Sequence, residues 1–393
     1  MRTADKRLNR REWLAAAAAA LGGAARGLAA EAPVSPVSIG KYAGYDDHLV
    51  EGLARQFNQL GGIGRLVSGK TVAIKLNLTG GGRLGNYTAG QTHWVHPDVV
   101  GACCHLFGRA GARRIRLLEG AGRGEPLEDK MLNGGWDVAA LRNSAPVVEF
   151  ENTNYLGSGK RYARLKAPRG FIYPGFDLNH SYEDADVFVS LSKIKHHEEC
   201  GITLTIKNMF GATPNSIYGD DAGVDEPNEN ARRGREAVLH LGKRPPSRSA
   251  PQEIDPAGNR YEGYRVPRIS VDLVAARPLD LCILDGIESS VGGEGPWVKG
   301  FQYAKPQMLV VGWNPVCTDT VAAALMGYNP RAERGQTPFH RLTPVPEGQP
   351  AWAENPMLLA ESIGLGSADL SRIEVRGVPI QEAMFDFESR RKI

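Results

Sequence analysis

The chain has few cysteines, and they are not spaced like the ligands of an iron–sulfur cluster. Five occur in 393 residues, without a C-x-x-C pair or a ferredoxin-like spacing. We therefore do not expect an iron–sulfur cluster held by this chain alone. Cys103, Cys104, Cys282 and Cys317 lie where small buried hydrophobic residues are usual. Because five is odd, at least one thiol stays unpaired unless the chain dimerises through it.

The sequence also lacks an excess of charge once its first 30 residues are set aside. The whole chain has 47 Lys and Arg against 44 Asp and Glu, and residues 1–30 hold six of the basic and two of the acidic ones. The remaining 47 − 6 = 41 basic and 44 − 2 = 42 acidic residues give a net charge of −1. Without a long basic run, the chain lacks the electrostatic footprint of a nucleic-acid-binding protein, and we expect no nucleic-acid partner.

Long hydrophobic runs are absent as well, and so are motifs that would identify a nucleotide site or a catalytic triad in the right structural context. After the first 30 residues no window holds the ~18 unbroken apolar residues of a membrane helix, so we expect no membrane span after cleavage of the signal. Residues 64–71 and 80–85 have the spacings G-x-x-x-x-G-K-[ST] and G-x-G-x-x-G, but neither segment opens a predicted helix after a predicted strand, so no nucleotide is predicted from a motif. No Ser-His-Asp order or nucleophile elbow is visible.

What the chain does have at its start is typical of an export signal. Arg10 and Arg11 precede an alanine run over 15–20, and small residues close the stretch at 27–30. The paired arginines resemble a twin-arginine signal. We therefore predict a signal peptide over 1–30, recognition by the twin-arginine export machinery, and a periplasmic or otherwise exported protein. Such a protein crosses the membrane folded, which suits one that receives a cofactor or metal in the cytoplasm.

The rest of the sequence alternates between strand-like and helix-like segments. Strands are predicted at 71–78, 114–119, 146–151, 186–192, 279–285 and 306–312, and helices at 97–112 and 316–326. This alternation predicts an α/β fold whose mainly parallel sheet carries helices on both faces. We predict one domain over 31–393 with a long, lid-like insertion at 213–268. His240, between two leucines of this insertion, could reach down from it.

The most informative segment is an apolar strand that ends in polar side chains. Residues 187–211 read VFVSLSKIKHHEECGITLTIKNMFG. In α/β proteins ligands collect outside the carboxyl ends of the strands, where loops present polar groups over a rigid sheet. A basic surface turn is the alternative for any single residue here, but six together favour a site. These six are Lys193, Lys195, His196, His197, Lys207 and Asn208.

Other strand ends carry comparable groups. Lys75 and Asn77 face the same side of one strand and arrive beside glycines 80–82, whose N–H groups can bind an anion. Asp285 closes another strand, and Glu294 lies in a glycine-rich loop where a ligand can approach the backbone closely. Three lysines around one crevice, Lys75, Lys193 and Lys207, favour a carboxylate or phosphate ligand.

We therefore predict an exported protein that acts on a small anionic molecule by lysine and histidine acid–base chemistry. The catalytic candidates are His197, Lys207 and Lys193. The ligand-binding candidates are Lys75, Asn77, Lys195, Asn208, Asp285 and Glu294. The alternative is a non-catalytic periplasmic binding or cofactor-carrying protein that uses the same crevice.

The histidines also raise the question of a divalent metal. His93 and His96 can share an ion only if their loop curls, because in a straight strand an odd spacing sends them to opposite faces. With His196 they form the candidate metal-ligand set. The alternative is one capping or solvated histidine and one packed histidine.

Ordered blocks along most of the chain resemble the domain of unknown function family 362. They are VAIKLNL at 72–78, HPDVVGAC at 96–103, the segment at 186–211, LCILDGIESSVGGEGP at 281–296, NPVCTDTVAAALMG at 314–327 and ESIGLGSADLSRIEVRG at 361–377. The resemblance implies an α/β fold and little about chemistry. Some members of that family carry a ferredoxin-like cysteine module, which this chain lacks, so electron transfer is not implied here.

A second resemblance concerns the interval between His197 and Lys207, which is ten residues. The interval is similar to that between a catalytic histidine and the cofactor-tethering lysine of the nickel-pincer lactate racemases. Those enzymes have a glycine-rich stretch directly before their lysine, whereas this chain has Leu204-Thr205-Ile206. A covalent cofactor on Lys207 is what the resemblance implies, and this departure counts against it.

Overall fold

The computed structural model describes residues 31–345, 347–348 and 350–391. The signal peptide predicted over 1–30 lies outside these residues. The described chain is an α/β protein, as the alternating pattern predicted.

The described strands vary from three to seven residues in length. They are β1 (Val37–Lys41), β2 (Thr71–Lys75), β3 (Arg114–Glu119), β4 (Val148–Asn152), β5 (Tyr162–Lys166), β6 (Gly175–Asn179), β7 (Val187–Lys193), β8 (Lys195–His197), β9 (Gly201–Thr203), β10 (Leu281–Gly286), β11 (Ser289–Val291), β12 (Gln302–Ala304), β13 (Met308–Gly312) and β14 (Val375–Gly377).

The described helices are mostly short, and none is long and apolar enough to cross a membrane. They are α1 (Leu49–Gln59), α2 (Gly64–Val67), α3 (Ala89–Thr92), α4 (Pro97–Arg109), α5 (Leu127–Asn133), α6 (Val138–Arg142), α7 (His180–Asp184), α8 (Thr205–Asn208), α9 (Asn215–Tyr218), α10 (Glu262–Ala276), α11 (Pro315–Leu325), α12 (Pro356–Ser362) and α13 (Ile380–Ala383). A π-helical turn covers Glu236–His240, and 3₁₀ turns cover Gly122–Gly124, Met209–Ala212 and Leu370–Arg372.

Eight strands form the main sheet, in the order β14-β1-β13-β10-β7-β2-β3-β4. Only β13 runs against its neighbours, while the other neighbouring pairs of this sheet are parallel. The five strands from β10 to β4 therefore all end at one edge of the sheet, which we call the carboxyl edge. Ligands of α/β proteins bind outside this edge.

The sheet is covered on both faces because its strands are apolar on both faces. In β7, Val187, Val189 and Leu191 join a core with helices α1 and α4, whereas Phe188 joins a core with helices α10 and α11. Side chains alternate between the two faces of a strand. A parallel sheet that is covered on both faces therefore needs apolar residues at nearly every position, and the sequence of β7 has such a run. The five cysteines are buried in these cores as free thiols.

Most predicted elements correspond to described ones, with differences at their ends. The strand predicted at 114–119 is β3, and the helix predicted at 97–112 ends at Arg109. The strand predicted at 71–78 pairs only through Lys75, after which the chain turns to carry Asn77 and the glycines into a loop. Strand β1 and helix α1 were not predicted, although they build one end of the sheet and part of one core.

Helix α10 begins at Glu262, inside the segment 213–268 that the sequence predicts as an insertion. The segment before α10 packs against the core through Val238 and Leu239, which have no exposed surface. The buried Arg265 of α10 donates a hydrogen bond to the carbonyl oxygen of Leu239 over 3.1 Å. This segment is thus held against the core by apolar contacts and by a buried cation.

Candidate functional site

Two buried ion pairs lie at the carboxyl edge, each made by neighbouring parallel strands. Lys193 of β7 and Asp285 of β10 are register partners, and their Nζ and Oδ2 atoms are 2.8 Å apart. Lys75 of β2 and Glu119 of β3 are joined by a contact of 2.7 Å between Nζ and Oε1. Parallel strands ending together bring residues from distant parts of the sequence side by side.

Lys193 and Asp285 are enclosed by protein atoms. The Lys193 ammonium also donates to the carbonyl oxygen of Gly90 over 2.8 Å and to the Tyr45 hydroxyl over 3.2 Å. Asp285 accepts a hydrogen bond from the backbone N–H of His96 over 2.9 Å. Neither charged side chain has exposed surface. The structure therefore gives Lys193, predicted to be catalytic, and Asp285, predicted to bind ligand, no open face toward a ligand.

The Lys75–Glu119 pair is tied to the loop that follows β2. Glu119 Oε2 accepts a hydrogen bond from the backbone N–H of Leu78 over 2.7 Å. A Cβ atom on Gly211 would lie 3.0 Å from Lys75 Nζ, so the chain passes this pair closely only because residue 211 is glycine. Lys75 is buried, and burial lowers its pKa while the carboxylate of Glu119 opposes that shift.

Asn77 and Asn208 connect helix α8 to the same edge. Asn77 donates from Nδ2 to Asn208 Oδ1 over 3.1 Å, and Asn208 donates to the hydroxyl of Ser190 over 3.0 Å. The Oδ1 atom of Asn77 is buried without a hydrogen-bond partner. Both amides were predicted to bind ligand, and in the structure both help to hold α8 against the sheet.

Helix α8 presents Lys207 at this edge. The carboxylate of Asp319 accepts hydrogen bonds from the backbone N–H groups of Thr205 and Ile206 over 2.9 and 2.8 Å, which fixes the start of the helix. Lys207 is half-buried, and its ammonium lies 4.7 Å from the ring centre of Phe210. It makes no hydrogen bond or ion pair with any described residue.

Lys195 is a fully buried cation without a carboxylate partner among the described residues. Its ammonium donates to the carbonyl oxygens of His93 and Glu294 over 2.6 and 3.2 Å. Burial lowers the pKa of Lys195 to about 7; the carboxylate of Glu294 opposes this shift, whereas the ammonium of Lys207 adds to it. Burial thus favours the neutral amine of Lys195 over its ammonium.

His197 stands beside the same cations. Burial and the ammonium of Lys207 lower the pKa of His197 to about 3, so the ring is neutral at neutral pH. Its Nδ1 atom lies 4.0 Å from Glu294 Oε2. Glu294 in turn accepts a hydrogen bond from the backbone N–H of Glu198 over 2.8 Å, which secures the turn after His197. Lys207 is therefore close enough to Lys75, Lys195 and His197 for its charge to lower the pKa of each.

The three histidines predicted as metal ligands lie in different environments. His196 has both ring nitrogens engaged, since Nδ1 accepts from the N–H of Gly292 over 3.0 Å and Nε2 lies 2.6 Å from the Tyr328 hydroxyl. The ring of His96 accepts a hydrogen bond from the first turn of α4. His93 is packed with no exposed surface, and its Nε2 atom is buried without a hydrogen-bond partner. The group of three metal-ligating side chains found among the described residues is a different one: Glu199, His240 and Glu262.

Glu119 and Arg235 also lie at this edge. Glu119 closes β3 as Lys75 closes β2, so the strand-end rule that marks Lys75 marks Glu119 as well. Arg235 comes from the insertion and donates to the carbonyl oxygen of Thr213 and to Asn154 Oδ1 over 2.8 and 2.7 Å. Burial lowers its pKa, and the charge of Glu119 opposes that shift. No local pattern marks Arg235.

The family described as domain of unknown function (DUF362) matches residues 72–324. The match covers more than half of the chain, and the chain belongs to this family, as its ordered sequence blocks indicated. The thylakoid-associated protein sll1697 of Synechocystis sp. is 28% identical over 200 residues, which are 49% of this chain and 56% of that protein. The chain thus matches only a little over half the length of this curated relative.

Two solved structures are similar at a lower level. One is a protein from Thermotoga maritima, with 15% identity, a TM-score of 0.32, and coverage of 65% of this chain and 53% of the other. The second is the lactate racemase apoprotein from Thermoanaerobacterium thermosaccharolyticum, with 14% identity, a TM-score of 0.34, and coverage of 69% and 54%. At these TM-scores neither structure bears on the chemistry of this chain.

Proposed function

We propose that this member of the DUF362 family binds a small anionic molecule beside Lys207 and moves a proton on it with His197. The observation that carries this proposal is the Lys207 ammonium, which lies half-buried at the carboxyl edge with no ion pair or hydrogen bond to a described residue. A carboxylate or phosphate is the ligand that supplies the missing acceptor.

The charges around Lys207 favour an anion. Lys75 and Lys193 have their own carboxylates within 2.7 and 2.8 Å, whereas Lys195 and Lys207 have none at ion-pair distance among the described residues. An anion entering here removes repulsion between cations and gains a charge-assisted hydrogen bond, which is worth ~1.5–3 kcal/mol. Water is the competing partner of Lys207, and partial burial weakens that competition.

The proton chemistry follows from the neutral state of His197. Lys195 has a pKa of about 7 but no exposed surface, while His197 keeps 7% of its surface exposed. His197 is therefore the group that meets a ligand. A bound anion adds negative charge beside the ring and raises its pKa from about 3 toward the working pH, which is what a general base requires.

The other predicted residues hold the elements that form the site. We propose that the Lys193–Asp285 pair fixes the ends of β7 and β10, that Lys75, Asn77 and Asn208 hold α8, and that Glu294 holds the turn after β8. Their side chains are all buried. We further propose that the protein is exported through the twin-arginine machinery, as its first 30 residues predict.

The test is a calorimetric titration with the member of a panel of small carboxylates and inorganic phosphate that best raises the melting temperature. Lys207→Met should weaken binding by ~10–150-fold, which corresponds to the loss of about 1.5–3 kcal/mol. Lys166→Met removes an exposed lysine of β5 and should leave the affinity unchanged. Equal affinity in the Lys207→Met variant would contradict the anion site.

His197 separates an enzyme from a binding protein. In an enzyme, His197→Gln lowers turnover by ~10²–10⁴-fold and largely preserves affinity, because it removes a proton-transfer group. An activity screen over the molecules that bind the wild type supplies the rate. If His197→Gln lowers affinity and no turnover is found, the protein is a binding or carrier protein.

A further inference from the structure

We propose that Glu199, His240 and Glu262 bind a divalent transition-metal ion. The three residues come from separate segments: the turn between β8 and β9, the π-helical turn of the insertion, and the first residue of α10. One ligand atom from each lies within 4.8 Å of the others. Nothing in the sequence pattern joins them, so the site exists only in the folded chain.

The contact between Glu199 and His240 is the strongest observation. Glu199 Oε2 and His240 Nδ1 form a pair 3.0 Å apart, and both atoms are shielded from solvent. Two ligands held ~2.0–2.2 Å from one metal ion lie about 3–3.5 Å apart, so the separation fits.

The surroundings hold two of the three side chains, Glu262 and His240, in place. Arg341 pairs with Oε1 of Glu262 and, over 3.1 Å, with Glu198. The ring of His240 meets the ring of Phe210 edge to face, with centroids 5.2 Å apart. Groups that orient the ligands in this way are what metal sites need around their first ligands.

The donor set indicates the kind of metal. One imidazole with two carboxylates suits Zn²⁺ or Mn²⁺ better than Ca²⁺, which prefers oxygen ligands alone, or Cu⁺, which prefers sulfur. Three protein ligands leave a coordination position for water or another ligand, as in catalytic zinc sites. The site adjoins the proposed anion site, because the ammonium of Lys207 is close enough to Glu199 for its charge to act there.

This metal site goes beyond the proposed function, since the ion would bind whether or not an anion is present. We would titrate EDTA-treated protein with ZnCl₂ and with MnCl₂ by calorimetry and by following the melting temperature. About one equivalent of at least one of the two ions should bind and raise the melting temperature. His240→Ala and Glu199→Gln should each weaken that binding by at least ~10-fold, because each removes a direct ligand.

His180 offers a matched control. It also lies between two carboxylates, Asp184 at 2.7 Å from Nδ1 and Glu151 at 3.3 Å from Nε2, but these approach opposite ring nitrogens and cannot share an ion. His180→Ala should therefore leave metal binding unchanged. Lys207→Met should keep or strengthen metal binding, because it removes a nearby cation, even though it weakens anion binding. The metal site and the anion site can therefore be contradicted independently of each other.

Two results would overturn the metal site. One is wild-type protein that binds neither ion, which would make Glu199 and His240 a simple ion pair. The other is binding of equal strength in His240→Ala and Glu199→Gln. Circular dichroism checks that each variant is folded, and Glu262→Gln decides the question if either of the first two variants does not fold.

Discussion

Single residues show how burial changes what a charge does in this protein. The Lys193–Asp285 and Arg248–Asp225 pairs have the same N···O separation, 2.8 Å. The first pair has no exposed side-chain surface, whereas the side chains of the second are 74% and 71% exposed. Water solvates the second pair in either state, so the two pairs should differ in their response to substitution.

We expect Lys193→Met to lower the free energy of unfolding by ~3–5 kcal/mol, because it leaves the Asp285 carboxylate buried without its cation. Arg248→Met, which breaks the exposed pair, should cost ~0–1 kcal/mol. Urea denaturation of both variants measures the difference. A Lys193→Met variant as stable as Arg248→Met would show that backbone and hydroxyl donors suffice for Asp285.

The residues predicted to form the site also differ in how far they are buried. The strand-end rule predicted Lys75, Lys193 and Asp285 at one edge, and the structure places them there. It did not predict that these three would be enclosed while Lys207 stayed open. Exposure depends on the segments that cover the edge, and no single strand carries that information.

Among the elements, helix α8 is the one that most clearly depends on its neighbours. It has four residues, Thr205–Asn208, which is far too short to be stable alone. Asp319 of α11 accepts hydrogen bonds from its first two N–H groups over 2.9 and 2.8 Å. The carboxylate of α11 therefore positions the helix that carries Lys207.

Asp319→Ala should lower the free energy of unfolding by ~1–3 kcal/mol, because two buried N–H groups lose their acceptor. It should also weaken anion binding, since Lys207 is then less firmly placed. Urea denaturation and calorimetric titration measure the two effects. Asp137→Ala is the control: it removes the exposed cap of α6, should cost ~0.5–2 kcal/mol, and should leave anion affinity unchanged. Unaltered affinity in Asp319→Ala would mean that α8 is positioned by other contacts.

For the molecule as a whole, the open question is where the protein resides. Arg10 and Arg11 lie outside the described residues, and the export prediction depends on them. Replacing both with lysine should leave the precursor in the cytoplasm, because the receptor recognises the guanidinium pair and not charge alone. Fractionation and immunoblotting of the native host measure the distribution. Arg26→Lys, which also keeps the charge, is the matched control and should be exported normally.

Undiminished export of the double lysine variant would point to an ordinary secretory signal. The protein would then fold after crossing the membrane. In that case a metal at Glu199, His240 and Glu262 would have to be acquired outside the cytoplasm, and loading before export would no longer be a reason for the paired arginines.

The sequence by itself determined the α/β class, the main strands from β2 to β13, the helices α4 and α11, and the family. These depend on periodicity and turn residues, which act between neighbours a few positions apart. It missed β1 and α1, whose weaker patterns are completed by the sheet and core that they join, and it also missed β5, β6 and the 15-residue helix α10. It also placed polar residues at strand ends, because a strand ends where its apolar run ends.

Only the tertiary structure decided which of those residues pair, which are enclosed and which stay open. His93, His96 and His196 were predicted together from the sequence, and their hydrogen bonds and burial differ in the structure. Glu199 and Glu262 attract no notice in sequence, yet meet His240 within 4.8 Å. The physical reason is that burial and partner geometry are set by segments far apart in the chain, and such contacts form only when the whole domain packs.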